Sequence, residues 1–244
     1  MSKTYFVSDV HLNTRDEVRR RGFLDFLQQS AQDASDLYIL GDLFDVWSGP
    51  SQITSKAYAE VAGALSESVK SGVKVVIIPG NRDFMLDSDF EKRVGAELLG
   101  ESVIIRLGAC NVFLTHGDAL CSGDVPYTLY RSLIRTKPAM DLYRALPATL
   151  TRFLAKGLRH HSRRTIGQKK NKRILMMDEL VESKFKLGID VIICGHVHEA
   201  KHAEYRLNGS THHLYVLGDW SDQQGSYLTC DGANFEHHTF QYRV

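Results

Sequence analysis

Five times in this chain an apolar run ends at a polar or glycine residue and leads straight into side chains able to bind a cation. The runs are 5–7, 37–40, 75–78, 112–114 and 191–193. The clusters that follow them are Ser8-Asp9-Val10-His11, Gly41-Asp42, Gly80-Asn81-Arg82-Asp83, His116-Gly117-Asp118 and Gly195-His196-Val197-His198. Short runs rich in β-branched and aromatic residues, stopped by Gly or a polar group, read as buried strands. Ligands at the ends of several strands converge on one edge of a sheet. The pattern therefore constrains both fold and function: it implies one dinuclear metal centre, with the rest of the chain as its support.

The segments between the clusters fit that frame. Residues 16–29 read as a helix with Phe23, Phe26 and Leu27 on one face. Residues 51–70 read as a second helix stopped by Gly72, and 88–94 as a short third one. Strands over 36–40 and 73–79 alternate with these helices, which implies right-handed crossovers and a parallel sheet covered by helices. Residues 103–107 and 111–115 read as a hairpin turning at Gly108. Strand pattern returns at 189–194. The C-terminal strands 200–206, 213–217, 226–230 and 235–240 read as one antiparallel group with turns at Asn208-Gly209 and Asp231-Gly232.

Between His116 and Gly195 the pattern breaks. This segment reads as helical, divided by Pro126, Pro138 and Pro147. Its longest helix is expected over 168–187, with Ile174, Leu175, Leu180, Val181 and Phe185 inward. Charge is segregated in the same place. Of the 30 Lys and Arg, 13 lie between positions 131 and 173, leaving 17 elsewhere, whereas Asp141 is the single acid of that stretch among the chain's 29. A strongly basic segment on an acidic body implies an anionic partner. Leu129, Leu133, Ile134, Leu142, Tyr143, Leu146, Phe153 and Leu154 alternate there with the cations. They read either as the small core of a helical subdomain or as an apolar groove with a cationic rim.

The four cysteines are scattered with no C-x-x-C pair, so neither a zinc knuckle nor a disulfide framework is expected, and a reducing compartment is. No secretory signal is visible, and no stretch approaches the roughly 18–20 apolar residues that span a bilayer. The expected location is the cytoplasm, with the basic apolar segment resting on a membrane surface.

The ligand chemistry is specific. Asp9, His11, Asp42, Asn81, His116, His196 and His198 offer carboxylate, imidazole and amide donors without thiolate. That mixture suits Mn²⁺, Fe²⁺ or Zn²⁺ better than Ca²⁺. Two ions share seven ligands if one carboxylate bridges, and Asp42, alone on its strand end, is the natural bridge. Singly, each cluster has a bland explanation: an Asp after a strand is commonly a turn residue, a Gly-Asn a turn, a His-x-His two surface imidazoles. Their joint occurrence in this order is what carries weight.

The same five motifs, in the same order along the whole chain, resemble those of the calcineurin-like metallophosphoesterase family. The resemblance implies an α/β fold, a four-layer αββα sandwich with two sheets face to face, helices outside and a helical cap inserted. Residues 1–118 and 189–244 would form the core and 119–188 the lipid-binding cap. By motif position Asp9, His11, Asp42 and His198 would hold one metal and Asp42, Asn81, His116 and His196 the other. Asp42, Asn81, Arg82 and His116 would form the catalytic set, with Asn81, Arg82 and His196 also meeting substrate.

Most of that family has His after the Asn, where this chain has Arg82. A guanidinium donates no proton near neutral pH but binds phosphate oxygens bidentately. The sequence Gly80-Asn-Arg-Asp-Phe84, with 38–45 and His116-Gly-Asp-Ala-Leu-Cys121, is similar to a branch that cleaves the diphosphate of UDP-2,3-diacylglucosamine in lipid A synthesis. That branch uses two Mn²⁺ and attack of metal-activated hydroxide on the α-phosphorus to give UMP and a diacylglucosamine 1-phosphate. It implies contact with the cytoplasmic face of the inner membrane and substrate contacts from Asp124, Ser162 and Lys169. Ile166 stands where the branch has Asn, and 44–50 differs from its usual acidic loop.

Two rival functions are weighed. A related enzyme acting on another nucleotide or phosphodiester fits the basic segment. The scarcity of aromatics for base stacking argues against a nucleic-acid partner. A metal-dependent scaffold or lipid carrier that cleaves nothing is disfavoured by the complete ligand set.

Overall fold

A computed structural model describes residues 3–121, 176–232 and 234–242, together with positions 136, 138, 140, 142, 143 and 146. The first half alternates strand and helix: β1 (Lys3–Val7), α1 (Glu17–Ser30), β2 (Ala34–Leu40), α2 (Lys56–Lys70), β3 (Lys74–Ile78), α3 (Ser88–Val94) and β4 (Glu97–Leu98). Then come the hairpin β5 (Ser102–Leu107) and β6 (Cys110–Thr115), and, past the insertion, α4 (Asp178–Phe185) and β7 (Val191–Cys194). The chain continues through β8 (Lys201–Leu207), β9 (Ser210–Val216), β10 (Gln224–Cys230) and β11 (Phe235–Gln241).

The strands form two sheets, ordered β11-β10-β1-β2-β3-β4 and β5-β6-β7-β9-β8. β1 to β4 are mutually parallel, as the alternation with helices implies. The C-terminal strands do not form one antiparallel group. β8 and β9 pair with each other and extend the second sheet beside β7, whereas β10 crosses over to lie antiparallel to β1, with β11 beside it. Hairpin turn chemistry at Asn208-Gly209, with φ of 53° and 81°, fixes only the local pair. The choice of sheet rests on which long-range edge is free.

Alternation along the strands explains the layers. Phe6, Tyr38, Leu40, Val76 and Ile78 point from the first sheet into a core shared with Val112, Leu114, Val191, Ile193, Tyr215 and Leu217 of the second. The intervening residues, Tyr5, Val7, Leu37, Ile39, Val75 and Ile77, face the other way. They pack against Phe23, Phe26 and Leu27 of α1, Val61 and Leu65 of α2, and Phe90 of α3. On the far side Ile192, Cys194, Leu214 and Val216 are covered by Val181 and Phe185 of α4. The result is helix, sheet, sheet, helix, the four layers of a metallophosphoesterase fold.

Local departures have local causes. The helix expected from residue 51 begins at Lys56, because Pro50–Thr54 forms a 3₁₀ turn and Ser55 is extended, with ψ of 140°. Thr54 Oγ1 donates to the Ser51 carbonyl at 2.7 Å, a side-chain bond that competes with a regular helix. α1 and α3 start at Asp16 and Asp87, whose carboxylates accept from backbone N–H groups of the first turn. In α4, Val181 and Phe185 are buried as expected, but Leu180 is 37% exposed, one position round the helix from the sheet; Ile174 and Leu175 lie outside the described residues.

The ends of the insertion meet. Cys121 and Met176 form an antiparallel bridge, and the Met177 N–H donates to the Leu120 carbonyl at 3.0 Å. Among the described residues no helix is long and apolar enough to cross a membrane.

Candidate metal centre

The register of the two sheets brings their polar ends together. Val7 lies beside Ile39, Leu40 beside Ile78, Leu114 beside Ile193 and Cys194 beside Val216, so the five clusters leave the strands at nearly one level. Backbone hydrogen bonds lace the departing loops. The Asp9 N–H donates to the Gly41 carbonyl, that of His11 to Asp42, that of Gly195 to His116, and that of Trp220 to Asp9.

The backbone there is unusual. Asp9, His11, Asp42, His196 and His198 all have positive φ, between 53° and 70°. Asp, Asn and His enter this left-handed region more readily than other L-residues. Two glycines are required by close approach: a Cβ on Gly80 would lie 2.2 Å from Asp42 Oδ1, and one on Gly195 would lie 2.0 Å from Ser8 Oγ.

Each carboxylate has one oxygen committed and one aimed inward. Asp9 Oδ2 accepts from Ser8 Oγ at 2.7 Å and from the His196 N–H at 2.8 Å. Its Oδ1 is buried with no hydrogen-bond partner and lies 3.3 Å from His198 Nε2 and 3.7 Å from His11 Nε2. Asp42 Oδ1 accepts from the Arg82 N–H at 2.9 Å. Its Oδ2 lies 3.7 Å from His116 Nε2, 3.9 Å from His11 Nδ1 and 3.5 Å from Arg82 Nε. Asp42 Oδ2 is thus the oxygen central to both halves of the cluster.

The imidazoles crowd nitrogen against nitrogen. His116 Nδ1 is 2.9 Å from the Leu40 carbonyl, a contact that requires a proton on Nδ1 and directs Nε2 into the site. There Nε2 meets Asn81 Oδ1 at 2.9 Å and His196 Nδ1 at 3.2 Å. His11 Nε2 and His198 Nε2 are 3.2 Å apart. Imidazole nitrogens crowded against one another and against Asn81 Oδ1, around a buried, unpartnered carboxylate oxygen, are what a divalent cation would satisfy. The donor set fits such an ion, and two groups of close ligand atoms stand out: Asp9, His11 and His198, and Asp9, Asp42 and His116.

Electrostatics agree. Burial would lower the pKa of His116, but the Asp42 and Asp9 carboxylates outweigh it and raise it to about 9. Burial raises Asp42 to about 7 against the opposing pull of His116, with the charges of Asp83 and Asp9 adding to the rise. His196 is lowered to about 4 by burial and by the neighbouring His116 charge. Burial would raise Asp9, yet the adjacent His198 imidazole and the charges of His116 and His11 hold it below the carboxylate range.

All eight residues expected at the centre are therefore brought together: Asp9, His11, Asp42, Asn81, Arg82, His116, His196 and His198. Asp124, Ser162 and Lys169 lie outside the described residues. Three supporting side chains have roles that the sequence does not assign. Asp83 accepts from the backbone N–H groups of Gly80, Asp42 and Phe44 and ties the loop after β3 to that after β2. Asp45 takes Arg82 Nη1 at 2.8 Å and so fixes the guanidinium. Asp219 Oδ2 lies 3.6 Å from His198 Nδ1, on the ring edge opposite the metal-facing nitrogen. A signal for Asp219 existed, because Leu214-Tyr-Val-Leu-Gly-Asp219 repeats the pattern of Leu37-Tyr-Ile-Leu-Gly-Asp42.

Comparison with known proteins gives the same family. The family model for calcineurin-like phosphoesterase matches residues 2–200. A protein of Ectopseudomonas mendocina named UDP-2,3-diacylglucosamine hydrolase is 36% identical over 96% of this chain and 97% of its own. Proteins of the same name from Azotobacter vinelandii (34% identity, 95% and 96% covered) and Haemophilus ducreyi (35% identity, 97% and 99% covered) match similarly. With the ligand cluster at the joined strand ends and this end-to-end similarity, the chain belongs to the calcineurin-like phosphoesterases and is a metal-dependent hydrolase.

Proposed function

We propose that this chain hydrolyses the diphosphate of UDP-2,3-diacylglucosamine, releasing UMP and 2,3-diacylglucosamine 1-phosphate, with two Mn²⁺ in the centre. The observation that carries the reading is the end-to-end match to relatives named for that substrate. Asp9, His11, Asp42 and His198 would hold one ion and Asp42, Asn81, His116 and His196 the other, with Asp42 shared. Two such ions lower the pKa of water and neutralise charge on the reacting phosphoryl group.

The chain's own groups do the positioning. Arg82 is held by Asp45 and Asp42, and its Nη2 has no hydrogen bond among the described residues, so it is placed to bind non-bridging phosphate oxygens as a fixed fork. With Nδ1 committed to the Leu40 carbonyl, His116 presents Nε2 in one orientation. The excursion between Cys121 and Met176 leaves and returns at one point beside the centre, which suits a cap over a long substrate. Its basic residues would bind the diphosphate and the anionic face of the inner membrane, keeping the enzyme on the cytoplasmic side. Asp124, Ser162 and Lys169 would contact the nucleotide sugar.

The test is UMP release from UDP-2,3-diacylglucosamine in Mn²⁺, run beside unacylated UDP-glucosamine, cyclic nucleotides and single-stranded DNA. Preference for the acylated substrate, abolished in Asp42→Ala, is expected. Equal or faster cleavage of any of the other three would overturn the substrate assignment.

A further inference from the structure

β8 and β9 carry a second set of metal-ligand side chains that the hydrolytic centre does not use. β8 is the edge strand of its sheet. His202 and Glu204 are two residues apart, hence on the same face, and Glu204 pairs in register with His213 of β9. His202 Nε2 lies 3.1 Å from His213 Nδ1, and one oxygen of Glu204 lies within 4.8 Å of a ring nitrogen of each histidine. The positions are held from below. The Tyr215 ring stacks on His202 at 4.3 Å with an interplanar angle of 2°, and Phe235 and His237 of the other sheet flank Tyr215 at 5.3 and 5.7 Å. The Glu204 carboxylate has no hydrogen bond or ion pair among the described residues.

Two imidazoles and a carboxylate without thiolate are the donor set of open zinc sites, in which water completes a tetrahedron. At Zn–N bonds of about 2.0–2.1 Å, tetrahedral ligand nitrogens stand roughly 3.3 Å apart, close to the spacing found here. Ca²⁺ and Mg²⁺ want six or more oxygens and do not suit the set. We propose that His202, Glu204 and His213 form a second, mononuclear site for Zn²⁺ or a similar borderline ion, separate from the centre at the strand ends.

Its place gives the site a consequence. His198 lies three residues before β8 and Asp219 three residues after β9, so an ion joining His202 to His213 clamps the hairpin whose two ends carry that pair. The simpler account, a single proton shared between two surface imidazoles, makes no use of Glu204 and predicts no bound ion.

Zinc content separates the two. The full chain is dialysed against micromolar Zn²⁺ and bound metal counted, for the parent, His202→Ala, His213→Ala and Glu204→Gln. We expect each His variant to hold one zinc fewer per chain and Glu204→Gln to bind that ion at least tenfold more weakly. Hydrolysis in Mn²⁺, unchanged in all three, reports an intact fold and first centre. Should a His variant fail that control, isosteric Glu204→Gln decides alone. Equal zinc number and affinity in parent and variants, or an affinity in the parent weaker than about 1 mM, overturns the proposal.

Discussion

Asp83 offers the sharpest test of how the centre is held. Its side chain is 0% exposed, and its two oxygens accept from three backbone N–H groups: Gly80 at 2.7 Å, Asp42 at 3.2 Å and Phe44 at 3.2 Å. Asp83→Ala leaves three buried donors unmatched, at about 1–3 kcal/mol each. Part of that is returned because a buried carboxylate no longer has to be desolvated. A net loss of about 3 kcal/mol follows, which for a chain of this size lowers the melting temperature by roughly 6–12 °C. Asp87 is the comparison: its Oδ1 also accepts from two N–H groups, of Asp89 and Phe90, but only at the start of α3. Losing that cap costs about 1 kcal/mol, or roughly 2–4 °C. Thermal unfolding followed by circular dichroism in chelator measures both variants without a metal contribution. The Asp83 variant should also bind Mn²⁺ more weakly, since the Asp42 loop loses its tie. If Asp83→Ala melts within about 2 °C of Asp87→Ala, the view of Asp83 as the clamp between two loops is wrong.

Three further outcomes are expected. Gly195→Ala places a methyl 2.0 Å from Ser8 Oγ and 2.3 Å from Asp9 Oδ2, so Asp9 must shift; calorimetric titration should show weaker Mn²⁺ binding, and an unaltered affinity would count against that crowding. Asp219→Asn should weaken Mn²⁺ binding by about 10–100-fold through the orientation of His198 while leaving the melting temperature of the metal-free protein nearly unchanged. Metal affinity should rise with pH: His116, raised to about 9 by Asp42 and Asp9 against the effect of burial, is protonated at neutrality without metal and must release that proton to ligate. Titrations from about pH 7 upward should gain roughly tenfold in affinity per unit and flatten above about 9, with matching proton release.

The metal ligands were legible because each follows an apolar run, and the run alone tells where the strand ends. That rule also marks Asp219, whose Leu-Gly-Asp ending matches that of β2. Asp83 sits inside a recognised motif, yet its role depends on backbone N–H groups at Asp42 and Phe44. Backbone donors leave no trace in side-chain composition. The same limit explains the C-terminal strands. Periodicity marks 213–217 and 226–230 as strands, but the partner of each is decided by parallel pairing of β9 with β7 and by the open edge of β1. Those contacts are remote in sequence.

Why these residue types occupy these positions has one further physical reason. A side chain leaving the end of a buried strand must turn back over the sheet edge to reach a neighbour's ligand, and a left-handed residue makes that reversal in one step. For most L-residues this backbone state costs about 1–2 kcal/mol, and Asp, Asn and His bear it more readily. They are also the oxygen and nitrogen ligands that borderline divalent ions accept. Asp9, His11, Asp42, His196 and His198 meet both requirements at once. A substitution that preserves ligand chemistry but favours other backbone states, such as Asp9→Glu, therefore fails on two counts: reach and turn. Conversely, glycine at any of the five would relax the turn and lose the ligand. The strain and the metal site are the same feature, and the hydrogen-bonded loops around Asp9, Asp42 and Asp83 are what holds it in place.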